Sequence, residues 1–530
     1  MSARAAADKI PDNACGISCG IGGIARCSIL FWALRERYEQ TGLPGGLTWI
    51  SIAGQGGRGR VPGSVEELGI DGLVTRYIAG HTETVKSMLR LAEAGRLELH
   101  TLPQGEMVFA LEAQGRGEFD VRSQTGTGTF MDPRGGRGSP VTPGANGQFA
   151  RADGDDIVYS LPPVDVAFIS APYADRDGNI YFRNAAAITE GVEAARAAQA
   201  NGGLAIVAVA GLIDHDETSI AIPADDVDIV VVNPANEQTG SVPQRNYWPM
   251  FTSEADVDVL AAAAELRFIN QILGITPRRT PAEQALARLG ARTFIENVAP
   301  DATVNIGVGL AEEICFELYK SPVQEGITFT TESGPYGGLP APGIFFGAAI
   351  NPERLESSAW MFHHYRDCLD AAMLGFLQLD SAGNINLSKR GPRLLDYVGP
   401  GGAPSIIEGA RTVLFAGKWM QGADIAVDGD RLRVNTPGKP KLVEQVDETT
   451  FNGSVGLARG KKIFYVTDLG LLELTGQGLT LRAVMPGIDI QRDLLANSNA
   501  RIHVPDDVAV VPAAVVTGEG FTLDWAGGGV

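Results

Sequence analysis

A short pattern occurs twice in the chain and constrains the fold more than any other feature of the sequence. Residues 10–20 and 299–309 each contain a Pro-Asp turn, a short apolar run and a glycine-rich bend. Helical periodicity follows each bend, at residues 28–34 and 311–318. The order of strand, glycine turn and helix is typical of α/β proteins, so the repeat predicts two related α/β domains. Identical residues stand at a constant offset of 289 positions: Pro11 and Pro300, Asp12 and Asp301, Ile17 and Ile306, Gly20 and Gly309.

The length of the chain agrees with two domains, because 530 residues exceed what one core usually serves. A proline-rich basic stretch at residues 274–281 is the predicted join, which gives domains 1–275 and 276–530. Residues 133–146 are predicted to form a long loop. Continuous apolar runs are typical of buried parallel strands, and they occur at 166–169, 204–209, 229–232, 412–416 and 462–466.

Charge and cysteine content narrow the classes of function. The formal net charge of −20 argues against nucleic acid or an anionic membrane surface as a partner. No apolar run reaches membrane-spanning length, and the N-terminus has no secretory signal pattern. The five cysteines form no CxxC pair, so the sequence predicts neither a disulfide framework nor a zinc site. We expect a cytoplasmic protein without bound metal.

The familiar arrangements for metal binding and nucleophilic catalysis are missing from the sequence. The six histidines show no metalloprotease spacing, although His215 lies in an Asp-His-Asp-Glu stretch and His363 and His364 are adjacent. There is no Gly-x-Ser-x-Gly elbow for a serine nucleophile. Acyl chemistry in this chain would therefore need a different nucleophile.

Several glycine-containing motifs permit more than one interpretation. The turns at residues 20–23 and 307–309 could present backbone N–H groups to an anion, or could be tight strand-to-helix turns that bind nothing. Residues 54–60 contain Arg58 and Arg60 and could line a phosphate path or form a flexible loop. Gln104, in a Leu-Pro-Gln-Gly stretch, could donate a hydrogen bond to a developing oxyanion or be an ordinary polar turn residue.

Glu332 is an isolated acid in an otherwise apolar, glycine-rich stretch, residues 328–347, which read TFTTESGPYGGLPAPGIFFG. It ends a β-favouring run, and glycine and proline bends follow it directly. In a dry pocket, a carboxylate aimed at an activated acyl group can form a covalent intermediate. The glycines would let the backbone approach a substrate closely. The alternative is an acid that merely ends a strand.

Taken together, these motifs resemble family I coenzyme A transferases, most closely the propionate CoA-transferase group. The resemblance extends over nearly the whole chain, and the set of motifs is far more specific than any one of them. The stretch ESGPYGG at residues 332–338 is similar to the nucleophile loop of that group. The other motifs, in family order, are residues 55–60, 79–81, 102–105, 126–134, 304–309, 374–378, 383–389 and 484–489.

The resemblance implies two open α/β domains with the active site in the cleft between them. It implies that Glu332 attacks an acyl-CoA and then carries CoA as a glutamyl thioester, so that no ATP, metal or permanently bound cofactor is needed. Gln104 and the backbone N–H groups of the 307–309 turn would stabilise oxyanions. The expected substrates are an acyl-CoA and a free carboxylic acid, and a homo-oligomer is expected. Residues expected to hold CoA are Gly307, Val308, Gly309, Gly375, Asn384, Asn386 and Lys389.

Two stretches depart from the family pattern. Residues 362–370, FHHYRDCLD, stand where relatives carry a glycine-rich stretch, so His363, His364 and Arg366 either border the acyl pocket or lie in a rearranged surface segment. The first glycine turn continues into Ala25-Arg26-Cys27, where relatives carry apolar residues and proline. If these positions line the pocket, a substrate with an additional polar or charged group is expected.

Two other functions fit the same motifs. An acyl-CoA hydrolase would use water in place of the acceptor acid, and a catalytically silent protein would only bind CoA or a nucleotide. The context of Glu332 argues against the silent protein. Dependence of turnover on an added carboxylic acid distinguishes a transferase from a hydrolase.

Overall fold

The computed structural model describes residues 1–57, 62–238, 247–276 and 278–525. Arg58 and Arg60, predicted to line a phosphate path or a flexible loop, lie outside the described residues. Within the described ranges, no helix combines the length and the apolar character that crossing a bilayer requires.

Parallel strands alternate with helices in the first half of the chain. The helices are α1 Ala3–Ala7, α2 Ser28–Thr41, α3 Lys86–Glu93, α4 Gln104–Gly115, α5 Gly191–Ala200 and α6 Val259–Ile272. The strands are β1 Cys15–Ser18, β2 Leu47–Ser51, β3 Val74–Ala79, β4 Glu98–Thr101, β5 Asp120–Ser123, β6 Ala150–Asp153, β7 Asp156–Ser160, β8 Val166–Ala174, β9 Ile180–Tyr181, β10 Leu204–Leu212 and β11 Ile229–Val232.

The second half repeats this alternation and adds short hairpins. Its helices are α7 Pro281–Asn297, α8 Leu310–Tyr319, α9 Ser358–Cys368, α10 Ala403–Gly409, α11 Gly453–Ala458 and α12 Ala513–Thr517. Its strands are β12 Ala302–Ile306, β13 Ile327–Thr330, β14 Pro335–Tyr336, β15 Leu339–Pro340, β16 Ala349–Ile350, β17 Arg354–Leu355, β18 Ala371–Gly375, β19 Gln378–Asp380, β20 Ile385–Asn386, β21 Thr412–Gly417, β22 Met420–Gln421, β23 Asp424–Asp428, β24 Arg431–Thr436, β25 Lys439–Pro440, β26 Leu442–Val443, β27 Lys462–Thr467, β28 Gly470–Thr475, β29 Gly478–Val484 and β30 Ala509–Val510.

The chain forms two compact units that interleave in sequence. The first contains Met1–Leu266, Thr331–His364 and Arg390–Ser405, and the second contains Arg267–Thr330, Tyr365–Lys389 and Ile406–Val530. The sequence predicts a single join near residue 275 and a C-terminal domain that carries Glu332. In the structure Glu332 belongs to the first unit instead, because main-chain hydrogen bonds such as Thr189 N–H to Ser333 O (3.0 Å) attach its segment there.

The first unit is built on a parallel sheet with the strand order β11-β10-β8-β1-β2-β3-β4, and β9 pairs antiparallel with β8. All six neighbouring pairs in the order from β11 to β4 are parallel. Beneath the sheet, Phe31, Trp49 and Phe168 form an aromatic cluster with ring centroids 5.2 to 6.4 Å apart. A Cβ on Gly16 would lie 2.4 Å from the Trp49 ring, so glycine in β1 is what makes room for the cluster.

The second unit repeats this topology, as the sequence repeat predicts. Its strands follow the order β13-β12-β18-β21-β27, all parallel, and β28, β29 and β30 extend the sheet at one edge. In each sheet the first strand pairs with the next long strand on one side and with a later strand on the other. The expected α/β fold is confirmed, and the five predicted apolar runs lie within β8, β10, β11, β21 and β27. The predicted loop at 133–146 contains only turns, bends and one isolated bridge.

This strand order creates one topological switch point in each sheet. The chain leaves β1 in one direction towards β2 and returns on the other side at β8, and β12 has the same relation to β13 and β18. Open α/β sheets bind ligands outside the carboxyl ends of their strands at such points. The loops after β1, β8, β12 and β18 are therefore the first places to look for a site.

Arg288 on α7 provides a test of how the second unit is held together. Its side chain is buried, and its Nε and Nη2 donate to the carbonyls of Val515 (2.6 Å) and Val516 (2.7 Å) on α12. Arg288→Met would leave two buried acceptors unpaired, so we expect the free energy of unfolding to fall by about 1–3 kcal/mol.

Chemical denaturation measures this change, and Arg292→Met on the same helix is the matched control. Arg292 forms a half-exposed pair with Glu296, so its loss should cost about 0.5 kcal/mol or less. Equal effects of the two substitutions would contradict the role assigned to Arg288.

Candidate active site

Glu332 lies in a tight turn two residues after β13 and is 9% exposed. Its neighbours fix the backbone on both sides. The Ser333 hydroxyl donates to Gly347 O (2.6 Å) and lies 3.1 Å from the Thr331 hydroxyl, while Gly334 N–H donates to Thr331 O (3.2 Å). These bonds fix the backbone of the turn that carries Glu332.

Gly334 and Gly347 permit this turn because neither has a side chain. Gly334 has φ 133°, and a Cβ there would lie 2.3 Å from Glu356 O. Gly347 has φ 102°, and a Cβ there would lie 2.5 Å from Cγ2 of Ile21 in the first glycine turn. The Glu332 segment is therefore packed against the loop that follows β1.

The segment is also attached to the loop that leads into α5. Ser333 O accepts from Thr189 N–H (3.0 Å), and Thr189 O accepts from Ser358 N–H (2.8 Å). The loop before α5 follows β8 and β9, so both attachments lie at the carboxyl ends of β1 and β8. Glu332 is thereby held at the switch point of the first sheet.

Glu190 joins the two sides of this switch point, and the sequence did not suggest it. It is 1% exposed, and its Oε1 accepts from Gly20 N–H (3.2 Å). Burial raises the pKa of Glu190 from its ordinary value of 4.5 to about 8. The group is therefore mostly neutral at pH 7. Nothing in the stretch Ile-Thr-Glu-Gly distinguishes this acid, because its environment is created by distant segments of the chain.

Gln55, the first residue of the motif at 55–60, ties the end of β1 to β2. The Ser18 hydroxyl donates to Gln55 Oε1 (2.6 Å), and Gln55 Nε2 donates to Ser18 O (2.5 Å). Trp49 Nε1 donates to the same hydroxyl (3.0 Å). These bonds leave Gln55 with a structural role at the carboxyl edge of the sheet.

Gln104 begins α4 at the carboxyl ends of β3 and β4 and is 4% exposed. Its backbone N–H donates to Gly401 O (3.1 Å), and Gly401 N–H donates to Gly80 O (2.8 Å). Gly80 makes room for the side chain, since a Cβ there would lie 2.5 Å from Gln104 Cγ. The side-chain amide forms no hydrogen bond with the described part of the chain, so its donors remain available to a ligand.

The predicted glycines of the second unit meet at its switch point. Gly307 N–H donates to Met373 O (2.8 Å), and a Cβ on Gly375 would lie 3.8 Å from Val308 O. Gly309 has φ 101° and stands directly before α8, with no atom within 4 Å of where its Cβ would be. The structure thus brings the loop after β12 and the end of β18 together, as a ligand site at this point requires.

Asn384 and Asn386, expected to hold CoA, use their side chains within the protein. Asn384 Nδ2 donates to Asp380 Oδ2 (3.0 Å) and its Oδ1 accepts from Gly453 N–H (3.0 Å). Asn386 Nδ2 donates to Gln378 Oε1 and Lys389 O, and its Oδ1 accepts from the Lys389 N–H (3.0 Å). Both amides therefore shape the turn that carries Lys389, which is half-buried.

The stretch that departs from the family pattern forms most of α9 instead of a glycine-rich loop. His363 and Arg366 are exposed, and His363 Nε2 lies 2.7 Å from Glu112 Oε2. His364 is half-buried, and its ring stacks on Trp360 (4.8 Å) and contacts Tyr336 edge-on (5.6 Å). The His364 ring thus touches the segment that follows Glu332.

His215 lies in a cluster whose oxygen and nitrogen atoms are mostly engaged. It comes together with Asp175 and Asp177, the three ligand atoms lying within 4.8 Å of one another. Asp175 accepts bonds from the Asn179 and Tyr181 side chains and from three backbone N–H groups, and His215 Nδ1 lies 2.9 Å from its Oδ2. These bonds hold the pKa of Asp175 well below its ordinary range. They account for the cluster as a structural turn.

The described geometry holds a carboxylate in a fixed glycine turn at the carboxyl edge of the first sheet. The sequence profile of the coenzyme A transferase family matches residues 1–233. The chain is 31% identical over 506 residues to the caffeate CoA-transferase of Acetobacterium woodii, which covers 93% of each chain. The chain belongs to the coenzyme A transferase family of enzymes.

Solved structures agree with this assignment over the whole chain. The apoenzyme of the acyl-CoA transferase YdiF from Escherichia coli O157:H7 matches with a TM-score of 0.87 and 25% identity, over 99% of this chain and 97% of that one. A thioester complex of the same protein with CoA matches with a TM-score of 0.86 and 25% identity, over the same shares.

The buried Glu190 predicts a pH dependence of stability. Its raised pKa means that the folded state keeps a proton that the unfolded state loses above about pH 4.5. The contribution of Glu190 to the free energy of unfolding therefore falls as the pH rises from about 4.5 to 8, and it is constant above that. In Glu190→Gln this loss disappears, and the amide oxygen can still accept from Gly20. We expect the variant to gain melting temperature over wild type by an amount that grows from pH 5 to pH 8.

Differential scanning calorimetry across this range measures the effect, with the exposed Glu325→Gln as control. The control should leave the pH dependence of wild type unchanged. A difference between Glu190→Gln and wild type that is flat from pH 5 to pH 8 would show that Glu190 does not hold its proton in the folded state.

Proposed function

We propose that this enzyme transfers CoA from an acyl-CoA to a free carboxylic acid, with Glu332 carrying the CoA between the two half-reactions. The observation that carries the proposal is the placement of Glu332, a 9% exposed acid in a turn whose backbone Ser333, Gly334 and Gly347 fix. Membership of the coenzyme A transferase family supports it. A further support is that the similar YdiF protein has been solved as a thioester complex with CoA.

The chemistry proceeds through two activated species of Glu332. Its carboxylate attacks the thioester carbonyl and forms a mixed anhydride, and the CoA thiolate leaves. That thiolate attacks the Glu332 carbonyl of the anhydride, which releases the first acid as a carboxylate and leaves a glutamyl-CoA thioester. The acceptor carboxylate reverses these two steps. Bond energy is kept in an anhydride or thioester throughout, so no ATP is consumed.

Fixing the turn contributes to the rate because the nucleophile need not be ordered at the moment of reaction. In water, a carboxylate must lose bound solvent and rotational freedom before it attacks. When the backbone around it is held, the folded protein has already removed both before the substrate binds. The glycines at 334 and 347 make that possible at a site where any side chain would collide with the protein. Binding energy from the large CoA molecule then assists the chemical step.

Gln104 is proposed to stabilise the oxyanion that forms at the attacked carbonyl. Its amide is buried at the carboxyl edge of the first sheet and has donors that no described residue uses. In the second unit, we propose that Gly307, Val308, Gly309, Gly375 and Lys389 bind CoA. Asn384 and Asn386 would then act indirectly, by holding the turn that positions Lys389.

Substitution of Glu332 tests the nucleophile. Glu332→Ala and Glu332→Gln should abolish transfer, because neither side chain can take up the acyl group. Glu332→Asp shortens the reach by one methylene, and a misplacement of about 1 Å can cost on the order of a hundredfold in rate. The measurement is transfer activity with an acyl-CoA and an acceptor acid, with Glu356→Gln from the same segment as the control that keeps activity.

A direct test traps the intermediate. Wild-type enzyme incubated with acyl-CoA and no acceptor should carry a thioester that borohydride reduces, and peptide mass spectrometry should locate the reduced residue at 332. A trapped adduct on a cysteine, or full transfer activity in Glu332→Ala, would refute the mechanism. Turnover without any added acid would indicate a hydrolase.

Substitution of Gln104 tests the oxyanion role. Loss of one oxyanion donor typically lowers kcat by about 10²–10³-fold, so Gln104→Ala should show such a decrease with little change in KM for the acyl-CoA. Gly80→Ala should displace the Gln104 side chain and produce part of the same loss. If kcat of Gln104→Ala stays within about twofold of wild type, Gln104 has no such role.

A cytoplasmic, homo-oligomeric enzyme completes the proposal. All five cysteines are unpaired and four are buried, which supports a reducing compartment. Light scattering of the purified enzyme measures the number of subunits.

A further inference from the structure

Arg26 is a buried cation that the fold itself does not explain. It follows the first glycine turn, directly before α2, and is 7% exposed. One nitrogen, Nη2, pairs with Glu237. The other two, Nε and Nη1, are buried and have no hydrogen-bond partner in the described part of the chain.

Buried donors on a charged group are costly when unpaired, so such atoms call for a ligand, ion or water. Arg288 shows what a structural arginine in this protein looks like. It is 8% exposed, and Nε and Nη2 donate to two backbone carbonyls. Arg26 has similar burial but keeps Nε and Nη1 unused.

The guanidinium group of Arg26 lies over the carboxyl edge of the first sheet. Its partner Glu237 follows Asn236, whose Nδ2 donates to Ser170 Oγ (3.0 Å) and to the carbonyls of Ala171 and Ala208 (3.2 Å each). These acceptors belong to β8 and β10. The ion pair thus joins the loop after β1 to the loop after β11 at the carboxyl edge, the side on which open α/β sheets bind their ligands.

The same edge holds the proposed nucleophile. The glycine turn that leads into Arg26 contains Ile21, against which Gly347 of the Glu332 segment packs. The glycine turn also carries the Gly20 N–H that donates to Glu190. Arg26 therefore lies in the loop after β1, and the Glu332 segment packs against the same loop.

We propose that Arg26 binds a second carboxylate on the acid substrate, so that this enzyme prefers dicarboxylic acids and their CoA monoesters. The inference rests on the proposed function, since the dicarboxylic acid is a substrate of the Glu332 reaction. One carboxylate reacts at Glu332, and the other accepts charge-assisted hydrogen bonds from Nε or Nη1 of Arg26. Glu237 occupies only Nη2 and orients the guanidinium group.

The test compares acceptor acids matched in chain length: butyrate with succinate, pentanoate with glutarate, and hexanoate with adipate. For wild type we expect kcat/KM of at least one dicarboxylic acid to exceed that of its partner. A hydrogen bond to a charged group corresponds to about 10–100-fold, so Arg26→Met should lose about that factor for the dicarboxylic acid. Its monocarboxylic partner should change by less than about threefold.

Two further variants separate recognition from misfolding. Arg26→Lys keeps the charge and should retain part of the preference for the dicarboxylic acid. Glu237→Gln frees Nη2 of Arg26 and should keep or raise that preference. Arg183→Met removes an exposed arginine of the same unit and should leave the preference for the dicarboxylic acid unchanged. Equal losses for both acids in Arg26→Met, or no dicarboxylic preference in wild type, would overturn the assignment.

A binding measurement distinguishes failure of this inference from failure of the proposed function. The preferred dicarboxylic acid should raise the melting temperature of wild type and of Glu332→Gln, but not of Arg26→Met. If that shift occurs while no thioester forms on Glu332, the carboxylate site stands and the mechanism is wrong. If transfer proceeds through Glu332 and the shift is the same in Arg26→Met, the mechanism stands and the site is wrong.

Discussion

The parallel pairing of β1 with both β2 and β8 fixes where polar groups can meet in the first unit. Parallel strands require crossover connections, so the loops that leave their carboxyl ends all lie along one edge of the sheet. The hydrogen bond from Gly20 N–H to Glu190 joins the loops after β1 and before α5 across that edge. The Glu332 segment attaches to both loops, so the candidate site depends on this pairing.

Strands and turns were largely predictable because their causes are local. Continuous apolar runs indicated β8, β10 and β21, and the repeated glycine bend indicated the shared topology of the two sheets. Glu332 was predicted as the nucleophile because its apolar, glycine-rich surroundings are contiguous in sequence, and that role stays a prediction. Gln104 was predicted only through its tetrapeptide, whereas the space for its side chain depends on Gly80, 24 positions earlier in the chain.

What the sequence did not predict depends on contacts between distant segments. Glu190 is influenced by Gly20, 170 positions away, and by the nearby Glu193. Arg26 pairs with Glu237, which stands 211 positions later in the chain. Segments 331–364 and 390–405 join the first unit through contacts such as Gly347 with Ile21 and Gly401 with Gly80. Asn386 could not be recognised as a structural residue, because an asparagine that shapes a turn and one that binds a ligand look alike in sequence.

The first sheet lowers the negative charge of this acidic protein locally, at its carboxyl edge. Burial raises the pKa of Glu190 to about 8 and also raises the pKa of Glu193, which the Ser357 hydroxyl contacts at 2.7 Å. Glu190 therefore carries little negative charge at pH 7. In a chain with a net charge of −20, the loop after β1 thus contacts a mostly neutral Glu190 and also carries Arg26, which is paired with Glu237. Because interactions between buried charges are screened less than those at the surface, the neutral state of Glu190 removes one negative charge from the side of the sheet that holds Glu332.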